Sequence, residues 1–234
     1  MADPFVRVYH RAIANKFGLL LFAYVLPGTI FVIVVLARFP QISRLVANTP
    51  SSNAEDRIDW ALLVVYQILA LIFYVMLVGI YAIRKPLLQP VRNSIGMLAA
   101  LGGSYLPFLF VALPKTRVDP TSTLLADVCI VVGIAFSVAG LTSLRRNFGI
   151  LPEVRGLVRS GIYQYIRHPV YTGELVTVAG IAIPLIGPVA ILCYTAFALL
   201  QYTRTRFEEA ALERHFPEYA EYRRKAGRFL PGMP

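Results

Sequence analysis

The stretch of sequence that decides the fold is ELVTVAGIAIPLIGPVAILCYTAFALLQY, residues 174–202. A single straight helix over this stretch would be about 44 Å long at 1.5 Å per residue, and it would carry its two basic flanks to opposite faces of a membrane. Pro184, Gly187 and Pro188 interrupt the middle, and proline removes a backbone donor and breaks a helix. The stretch therefore predicts a helical hairpin that returns both flanks to one face; the alternative is one long, kinked helix.

The chain as a whole is strongly apolar, with 57% hydrophobic and 15% charged residues, whereas an average soluble domain has about 25% charged residues. Roughly 20 apolar helical residues cross the hydrocarbon core of a bilayer. Such runs predict spans near 17–36, 61–83, 94–113 and 124–144, ahead of the hairpin. We therefore expect an all-α, multi-pass integral membrane protein with about five membrane helical elements, of which the last is the hairpin.

The net charge of +10 predicts topology rather than a nucleic-acid partner, because basic residues mark the cytoplasmic loops of membrane proteins. If the N-terminus is cytoplasmic, most Lys and Arg residues fall on the cytoplasmic side. The first apolar run is too long for a cleaved signal peptide and is expected to be a retained helix. Cys129 and Cys193 both lie in predicted spans, so the sequence indicates neither a disulfide nor a thiol-based metal site.

The sequence predicts a single membrane domain over residues 1–234, since no linker separates two soluble units and no internal repeat is present. Its two parts nevertheless differ. Residues 1–144 consist of apolar spans and short loops, whereas residues 145–234 interleave polar groups with hydrophobic helix. The chemistry is therefore expected in the second part, where the hairpin lets residues 155–173 face residues 204–222.

The first chemical motif is GLVRSGIYQYIRHPVYTGE, residues 156–174. Pro169 biases His168 towards an extended backbone, which holds the imidazole in place. Gly161 and Gly173 allow close backbone approach. The alternative is an interfacial belt, in which Tyr and Arg side chains only anchor the helix at the lipid headgroups.

The second motif is RTRFEEAAL, residues 204–212, directly after the apolar stretch. On a continuing helix Arg204 and Glu208 are four residues apart, and Arg206 and Glu209 share a face at a spacing of three. An exposed helix with weak surface ion pairs is the alternative. Because these charges emerge directly from a membrane segment, they are functional candidates.

A zwitterionic amino-acid head offers a carboxylate to His168 or Arg and an ammonium to a Glu, while a ribose diol suits a second carboxylate. An adenine ring needs an apolar slot, which Leu157, Val158 and the aliphatic residues of the hairpin can line. S-adenosylmethionine meets this description. The Gly-rich nucleotide loops of soluble folds are absent, which excludes a Rossmann methyltransferase.

Two patterns resemble the isoprenylcysteine carboxyl methyltransferase family and its phospholipid N-methyltransferase relatives. They are G-x-Y-x-x-x-R-H-P-x-Y-x-G over Gly161 to Gly173 and R-x-E-E-x-x-L from Arg206. The resemblance covers roughly residues 141–231. Ahead of it the likeness is only topological. One departure is Phe216-Pro217, where the family usually has Phe-Gly.

The resemblance implies that the two motifs enclose S-adenosylmethionine, that a C-terminal cytoplasmic helix forms a lid, and that a lipophilic or lipid-linked acceptor enters between the membrane helices of residues 1–144. The implied cofactor-binding residues are Leu157, Val158, Tyr163, Arg167, His168, Pro169, Tyr171 and Glu209. The implied catalytic residues, near the acceptor, are Arg206 and Glu208. Arg206 would hold a carboxylate acceptor by bidentate hydrogen bonds, whereas Glu208 would serve as the base for an amine.

An isoprenylcysteine carboxylate is the acceptor that the resemblance implies first, with a phospholipid amine or a small thiol as alternatives. Membrane sterol reductases, which use NADPH, share the stretch R-H-P-x-Y-x-G-E that ends here at Glu174, but they usually have Asn where this chain has Val170. A non-enzymatic membrane scaffold is the third class. No metal is implied.

Overall fold

The computed structural model describes residues 4–14, 26–50, 54–91, 93–113, 119–185 and 187–233. Within these ranges the chain is helical, and strand-like pairing is confined to isolated bridges. This confirms the all-α class. The helices are α1 (Pro4–Ala14), α2 (Leu26–Ala47), α3 (Ala54–Ile83), α4 (Ser94–Tyr105), α5 (Pro120–Leu144), α6 (Pro169–Ala182), α7 (Pro188–His215) and α8 (Tyr219–Lys225).

Among the described residues, three helical stretches are long and apolar enough to cross a membrane by length and composition: Gly28–Ala47, Asp56–Ile83 and Pro120–Asn147. The last two contain the spans predicted at 61–83 and 124–144. They pack against each other through a hydrophobic cluster that includes Phe73, Leu77 and Leu141. This arrangement supports a multi-pass membrane fold.

The first predicted span, 17–36, lies only partly within the described residues. Residues 17–25 lie outside the described ranges, and α2 continues past residue 36 to Ala47. This continued helix contains Arg38, and a charge inside a bilayer is costly. In the structure Arg38 donates to Gln67 Oε1 over 3.0 Å and lies over the rings of Tyr66 and Tyr74, so the neighbouring helix α3 compensates its charge.

The span predicted at 94–113 is shorter and less regular than expected. The Asn93 side chain caps α4 by accepting hydrogen bonds from the amides of Ile95 and Gly96. The α-helix then ends at Tyr105 and tightens into a 3₁₀ helix over Leu106–Ala112. Pro107 explains the change, because a proline within a helix removes a backbone donor.

The hairpin is confirmed. The helix α6 ends at Ala182, a 3₁₀ turn covers Ile183–Leu185, and α7 starts at Pro188. The two helices run antiparallel: Tyr194 near the turn donates to Leu175 O, whereas Gln201, further along α7, donates to Glu174. The polar end of α7 therefore returns beside the start of α6.

The start of α6 is held by close packing on α5. A Cβ added to Gly173 would lie 2.5 Å from Gly133 O and 2.6 Å from Ser137 N, both of them backbone atoms. Ser137 also donates its hydroxyl hydrogen to Val170 O over 3.2 Å. Small residues at helix contacts allow such approach in membranes, and here they fix where the residues ahead of α6 lie.

We expect Gly173→Ala to destabilise the protein by about 1–3 kcal/mol, because an added methyl group in a closely packed contact forces the backbone apart. Thermal unfolding in detergent measures the effect. The control is Gly79→Ala in α3, where a Cβ meets nothing within 4 Å and stability should stay the same or rise slightly. Equal melting temperatures for the two variants would contradict this packing.

The C-terminal segment closes over the loop ahead of α6. Arg167 N donates to Gly227 O (2.8 Å), His168 N donates to Arg228 O (3.1 Å), and Gly227 N donates to Tyr165 O (3.0 Å). The short helix α8 leads into this segment. The resemblance implies that a C-terminal helix forms a lid. In the structure, α8 and the strand-like residues that follow it lie in that position.

Candidate active site

Two cavities, one polar and one apolar, adjoin each other at Phe148. The polar cavity has about 750 Å³ of empty space including its open mouth, and it lies between the loop at 147–158, the start of α6, the polar end of α7, and α8. Its lining includes Asn147, Phe148, Glu153, Arg155, Leu157, Val158, Tyr163, Arg167, His168, Tyr171, Glu208, Leu212, Tyr219 and Tyr222.

Glu209 lies directly behind the polar cavity and organises its cationic wall. Its carboxylate accepts hydrogen bonds from Arg167 Nε and Arg228 Nη2, both at 2.9 Å, and lies 3.1 Å from His168 Nε2. Burial by itself raises the pKa of Glu209, but the hydrogen bonds from His168, Arg228 and Arg167 outweigh burial and hold this pKa well below its ordinary value. Glu209 is therefore an ionised anchor for three buried basic groups.

The imidazole of His168 stacks on the ring of Tyr171, with centroids 5.5 Å apart and planes 12° from parallel. The Tyr171 hydroxyl donates to Glu208 Oε1 over 2.5 Å. The guanidinium of Arg167 also donates to the backbone carbonyls of Arg223 and Ala226. The RHPxY motif is thus held from both α7 and the C-terminal segment.

Three tyrosines form the other wall of the polar cavity. The Tyr222 hydroxyl donates to Tyr163 O over 2.6 Å, and the Tyr219 ring meets the Tyr222 ring edge to face at 5.7 Å. Burial raises the pKa of Tyr163, Tyr219 and Tyr222 above the ordinary value. Their hydroxyl groups therefore stay neutral and can donate hydrogen bonds at physiological pH.

The apolar cavity is larger, with about 1280 Å³ of empty space including its opening, and it lies among α2, α3, α4, α5 and the hairpin. Its lining includes Phe31, Val34, Arg38, Phe73, Tyr74, Leu77, Phe108, Ile134, Phe148, Ile150, Glu174, Ile181, Phe197 and Arg204. Most of these side chains are hydrophobic, so the cavity suits a lipophilic molecule.

The wall between the two cavities is formed around Arg204, which is buried. Its guanidinium lies 4.4 Å above the centre of the Tyr171 ring, and its Nε donates to Glu208 Oε1 over 3.1 Å. Its remaining nitrogens donate to Ile150 O and Ser104 Oγ. Phe148 lines both cavities. A group at this wall would therefore have access to both sides.

The structure brings most of the sequence-predicted residues together. Those that line the polar cavity are Leu157, Val158, Tyr163, Arg167, His168, Tyr171 and Glu208. Pro169 is fully buried as the first residue of α6, and Glu209 acts from behind the lining. Arg206 is the exception, since it is exposed, donates to Tyr202 OH over 3.3 Å and lines neither cavity.

Arg204, and not the sequence-predicted Arg206, therefore lies at the wall between the cavities. The spacing of four between Arg204 and Glu208 was the available signal, because it puts both side chains on one helix face. Reasoning also missed Asn147, Glu153 and Glu174. The first two lie in a loop with no periodicity, and Glu153 accepts a hydrogen bond from Tyr9 of α1, a contact with no local sequence signal.

A family of known proteins matches the chain from α5 to the start of α8. Residues 121–219 match the family model described as phospholipid methyltransferase. Over 78 residues, 33% of this chain, the sequence is 36% identical to the nickel-cobalt-cadmium resistance protein NccN of Alcaligenes xylosoxydans xylosoxydans, covering 37% of that protein. It is 38% identical, also over 78 residues and 33% of this chain, to the cobalt-zinc-cadmium resistance protein CzcN of Cupriavidus metallidurans, covering 36% of that protein.

The chain thus spans little more than a third of the length of these curated relatives. Among solved structures, it resembles the eukaryotic intramembrane Ras methyltransferase ICMT, an isoprenylcysteine carboxyl methyltransferase, with 20% identity and a TM-score of 0.48 over 97% of this chain and 82% of that one. Within the residues described above, no group of three or more His, Cys, Asp or Glu side chains could hold a metal ion.

The matched segment contains α5, the RHPxY motif, the hairpin and the Glu208–Glu209 pair, which are the elements that build the polar cavity and its wall. This agrees with the family that the two motifs predict. Over residues 121–219, the chain therefore resembles the phospholipid methyltransferase family.

Proposed function

We propose that this protein is an S-adenosylmethionine-dependent methyltransferase that modifies a lipophilic acceptor at the membrane interface. The observation that carries the proposal is the pair of cavities that meet at Arg204, Tyr171 and Phe148. One cavity is lined by charged and aromatic groups and the other by hydrophobic side chains of membrane helices. A polar methyl donor and a lipophilic acceptor need this arrangement, because proximity supplies much of the rate of a displacement reaction.

The polar cavity contains protein groups that, within the described ranges, lack hydrogen-bond partners and that the methyl donor could satisfy. Arg167 Nη2, Asn147 Oδ1 and Tyr219 Oη are buried without a hydrogen-bond partner among the residues that the structure describes, and all three residues line this cavity. Buried polar atoms are rarely left unpaired unless a ligand or water completes them. A guanidinium suits the donor's carboxylate, whereas an amide oxygen and a neutral phenol suit its ammonium, hydroxyl and adenine nitrogen groups.

In this proposal Arg167, His168 and the three tyrosines hold the amino-acid end of the donor, while Leu157, Val158 and Leu212 cover its apolar surface. S-adenosylmethionine, when bound, supplies a methyl group activated by a sulfonium. The protein's own contribution is to orient the two reactants and to exclude water from the wall between the cavities. Arg204 and Glu208 hold Tyr171 in place at that wall.

We also propose that the polar cavity faces the cytoplasm. The loops and the C-terminal segment around it are rich in Arg and Lys, among them Arg155, Arg159, Arg223, Arg224 and Lys225. Basic residues near the ends of membrane helices favour the cytoplasmic side.

The test uses the full-length protein, purified in detergent. Calorimetry should show binding of S-adenosylmethionine but not of NADPH, and methyl groups labelled in the donor should appear in a product formed from a total lipid extract. Binding of NADPH alone would support a reductase instead. Binding of neither ligand would contradict an enzymatic role.

Tyr222→Phe gives a smaller, local test of the polar cavity. The substitution removes the hydroxyl that donates to Tyr163 O and leaves a buried carbonyl unpaired, which costs about 1–3 kcal/mol. We expect weaker S-adenosylmethionine binding, by about tenfold, since tenfold corresponds to about 1.4 kcal/mol. Tyr165→Phe, at an exposed tyrosine of the same loop, is the control and should bind normally. Equal affinities would remove Tyr222 from the cofactor site.

A further inference from the structure

A carboxylate lies inside the apolar cavity, at its end nearest the wall. Glu174 follows Tyr171 by three residues on α6, so the two side chains share a helix face. Glu174 is partly buried and lines the apolar cavity, whereas Tyr171 lines the polar cavity. This face of α6 therefore leads from the polar cavity to a negative charge among hydrophobic side chains.

Glu174 has no counter-ion within ion-pair distance among the described residues. Its Oε2 accepts a hydrogen bond from the neutral amide of Gln201 over 2.5 Å. The nearby cation Arg204 directs its hydrogen bonds to Glu208, Ser104 and the carbonyls of Gly149 and Ile150 instead. A buried ion without an opposite charge is costly, and an ionisable residue in a membrane segment is a candidate for function.

The charges around the wall are unfavourable for a carboxylate acceptor. Arg204 is already paired with Glu208, so Glu174 adds an excess negative charge. The other cation of the apolar cavity, Arg38, is bound to Gln67 and covered by the rings of Tyr66 and Tyr74. An acceptor carboxylate at the wall would meet repulsion from ionised Glu174, whereas an ammonium acceptor would be attracted to it and a neutral thiol would meet no repulsion.

We infer that Glu174 accepts the proton of the acceptor nucleophile, and that the enzyme therefore selects acceptors with an N–H or S–H group over carboxylates. The inference rests on the proposed function and deepens it. It also departs from the sequence resemblance, which implies a carboxylate acceptor first and assigns proton removal from an amine to Glu208. Glu208 is engaged by Tyr171 and Arg204, whereas Glu174 has a single, neutral hydrogen-bond partner within the described ranges.

The chemistry balances without a further reactant. The proton of an ammonium or thiol acceptor passes to the carboxylate of Glu174, and the lone pair that this frees on nitrogen or sulfur forms the new bond to the methyl carbon. The carbon–sulfur bond of the sulfonium breaks, and its electron pair stays on sulfur as a neutral thioether. A carboxylate acceptor has no proton to give, so Glu174 would contribute only repulsion.

The experiment compares hexadecylamine, hexadecanethiol and hexadecanoate, which share one apolar chain. Without methyl donor, the amine should stabilise the wild-type protein against thermal unfolding more than hexadecanoate does, and Glu174→Gln should remove this difference. With donor, we expect N- or S-methyl products and at least about 100-fold lower turnover in Glu174→Gln, the lower end of the range for general-base catalysis. Glu174→Asp should retain part of the activity, since it keeps the charge.

Tyr194→Phe is the control for the hairpin, because it removes the hydrogen bond to Leu175 O outside either cavity and should leave turnover unchanged. Formation of a base-labile methyl ester from hexadecanoate at a rate equal to the amine, or full activity in Glu174→Gln, would overturn the inference and leave the proposed function standing. Absence of S-adenosylmethionine binding, or of transfer to any of these acceptors or to a lipid extract, would contradict the proposed function itself.

Discussion

Glu209→Gln is expected to cause a large loss of both folding stability and S-adenosylmethionine affinity, the largest combined effect of any substitution proposed for this protein. The change removes the charge that Arg167, Arg228 and His168 share, and breaking a buried ion pair by neutralising one partner costs about 3–5 kcal/mol. The cationic wall should also lose its geometry, so S-adenosylmethionine affinity should fall by on the order of 100-fold, which corresponds to about 2.8 kcal/mol at about 1.4 kcal/mol per tenfold change. Thermal unfolding and calorimetry measure the two effects separately.

Glu213→Gln is the matched control, one turn further along α7. Glu213 pairs with Arg223 at 3.4 Å, and both side chains are nearly half exposed, so this pair should contribute about 1 kcal/mol or less. Similar losses in the two variants would show that Glu209 has no special role.

The same carboxylate sets how acid should affect the protein. Because the folded-state pKa of Glu209 is lowered, the stabilisation is fully present above the ordinary pKa of glutamate in the unfolded chain. It is lost as the pH falls below that value towards the folded-state pKa. No loss from this group is therefore expected between neutral and mildly acidic pH.

Arg204→Lys is expected to lower turnover by about 100-fold or more while S-adenosylmethionine binding stays within a few-fold of wild type, because a small displacement at the reacting centre has effects of this size. Lysine keeps the positive charge but not the planar fork with which Arg204 reaches Glu208, Ser104 and Ile150 O and covers the Tyr171 ring. Steady-state kinetics and calorimetry together separate the loss of turnover from a loss of binding.

Arg206→Ala serves as the comparison for Arg204→Lys, two residues further along the same helix. The exposed position of Arg206 predicts turnover within about twofold of wild type, since surface pairs contribute little. If Arg206→Ala were the more damaging substitution, the acceptor would have to approach the outer face of α7, and the wall at Arg204 would lose its proposed role.

The sequence predicted the hairpin because its signal is local: two prolines and a glycine interrupt an apolar stretch at one point. It predicted the contents of the polar cavity for a similar reason, since the RHPxY motif and the Glu208–Glu209 pair each lie within a few residues. It could not rank Arg204 above Arg206, because both spacings fit a helix face and only tertiary packing decides which face is buried. The sequence also did not predict that α2 continues past residue 36 to Ala47, since the contacts that compensate the charge of Arg38 come from α3.

Glu174 illustrates a different limit. The sequence shows a glutamate next to the motif but not that its carboxylate lacks an ion-pair partner among the described residues, because that depends on where Arg204 directs its hydrogen bonds. Glu153 and Asn147 are similar, as their place in the polar cavity follows from a loop that is held by α1 and α5 rather than by its own pattern.

The pairing of residues 165–168 with residues 227–228 has a consequence for biosynthesis. Chains emerge from the ribosome N-terminus first, so every membrane helix can insert before Gly227 and Arg228 have been made. During that interval Arg167 and His168 lack the backbone partners that hold them, and Glu209 lacks one of its cations. Under the proposed function, the methyl donor would therefore bind only after translation has passed the last membrane segment, and a partly made chain would stay inactive while it inserts.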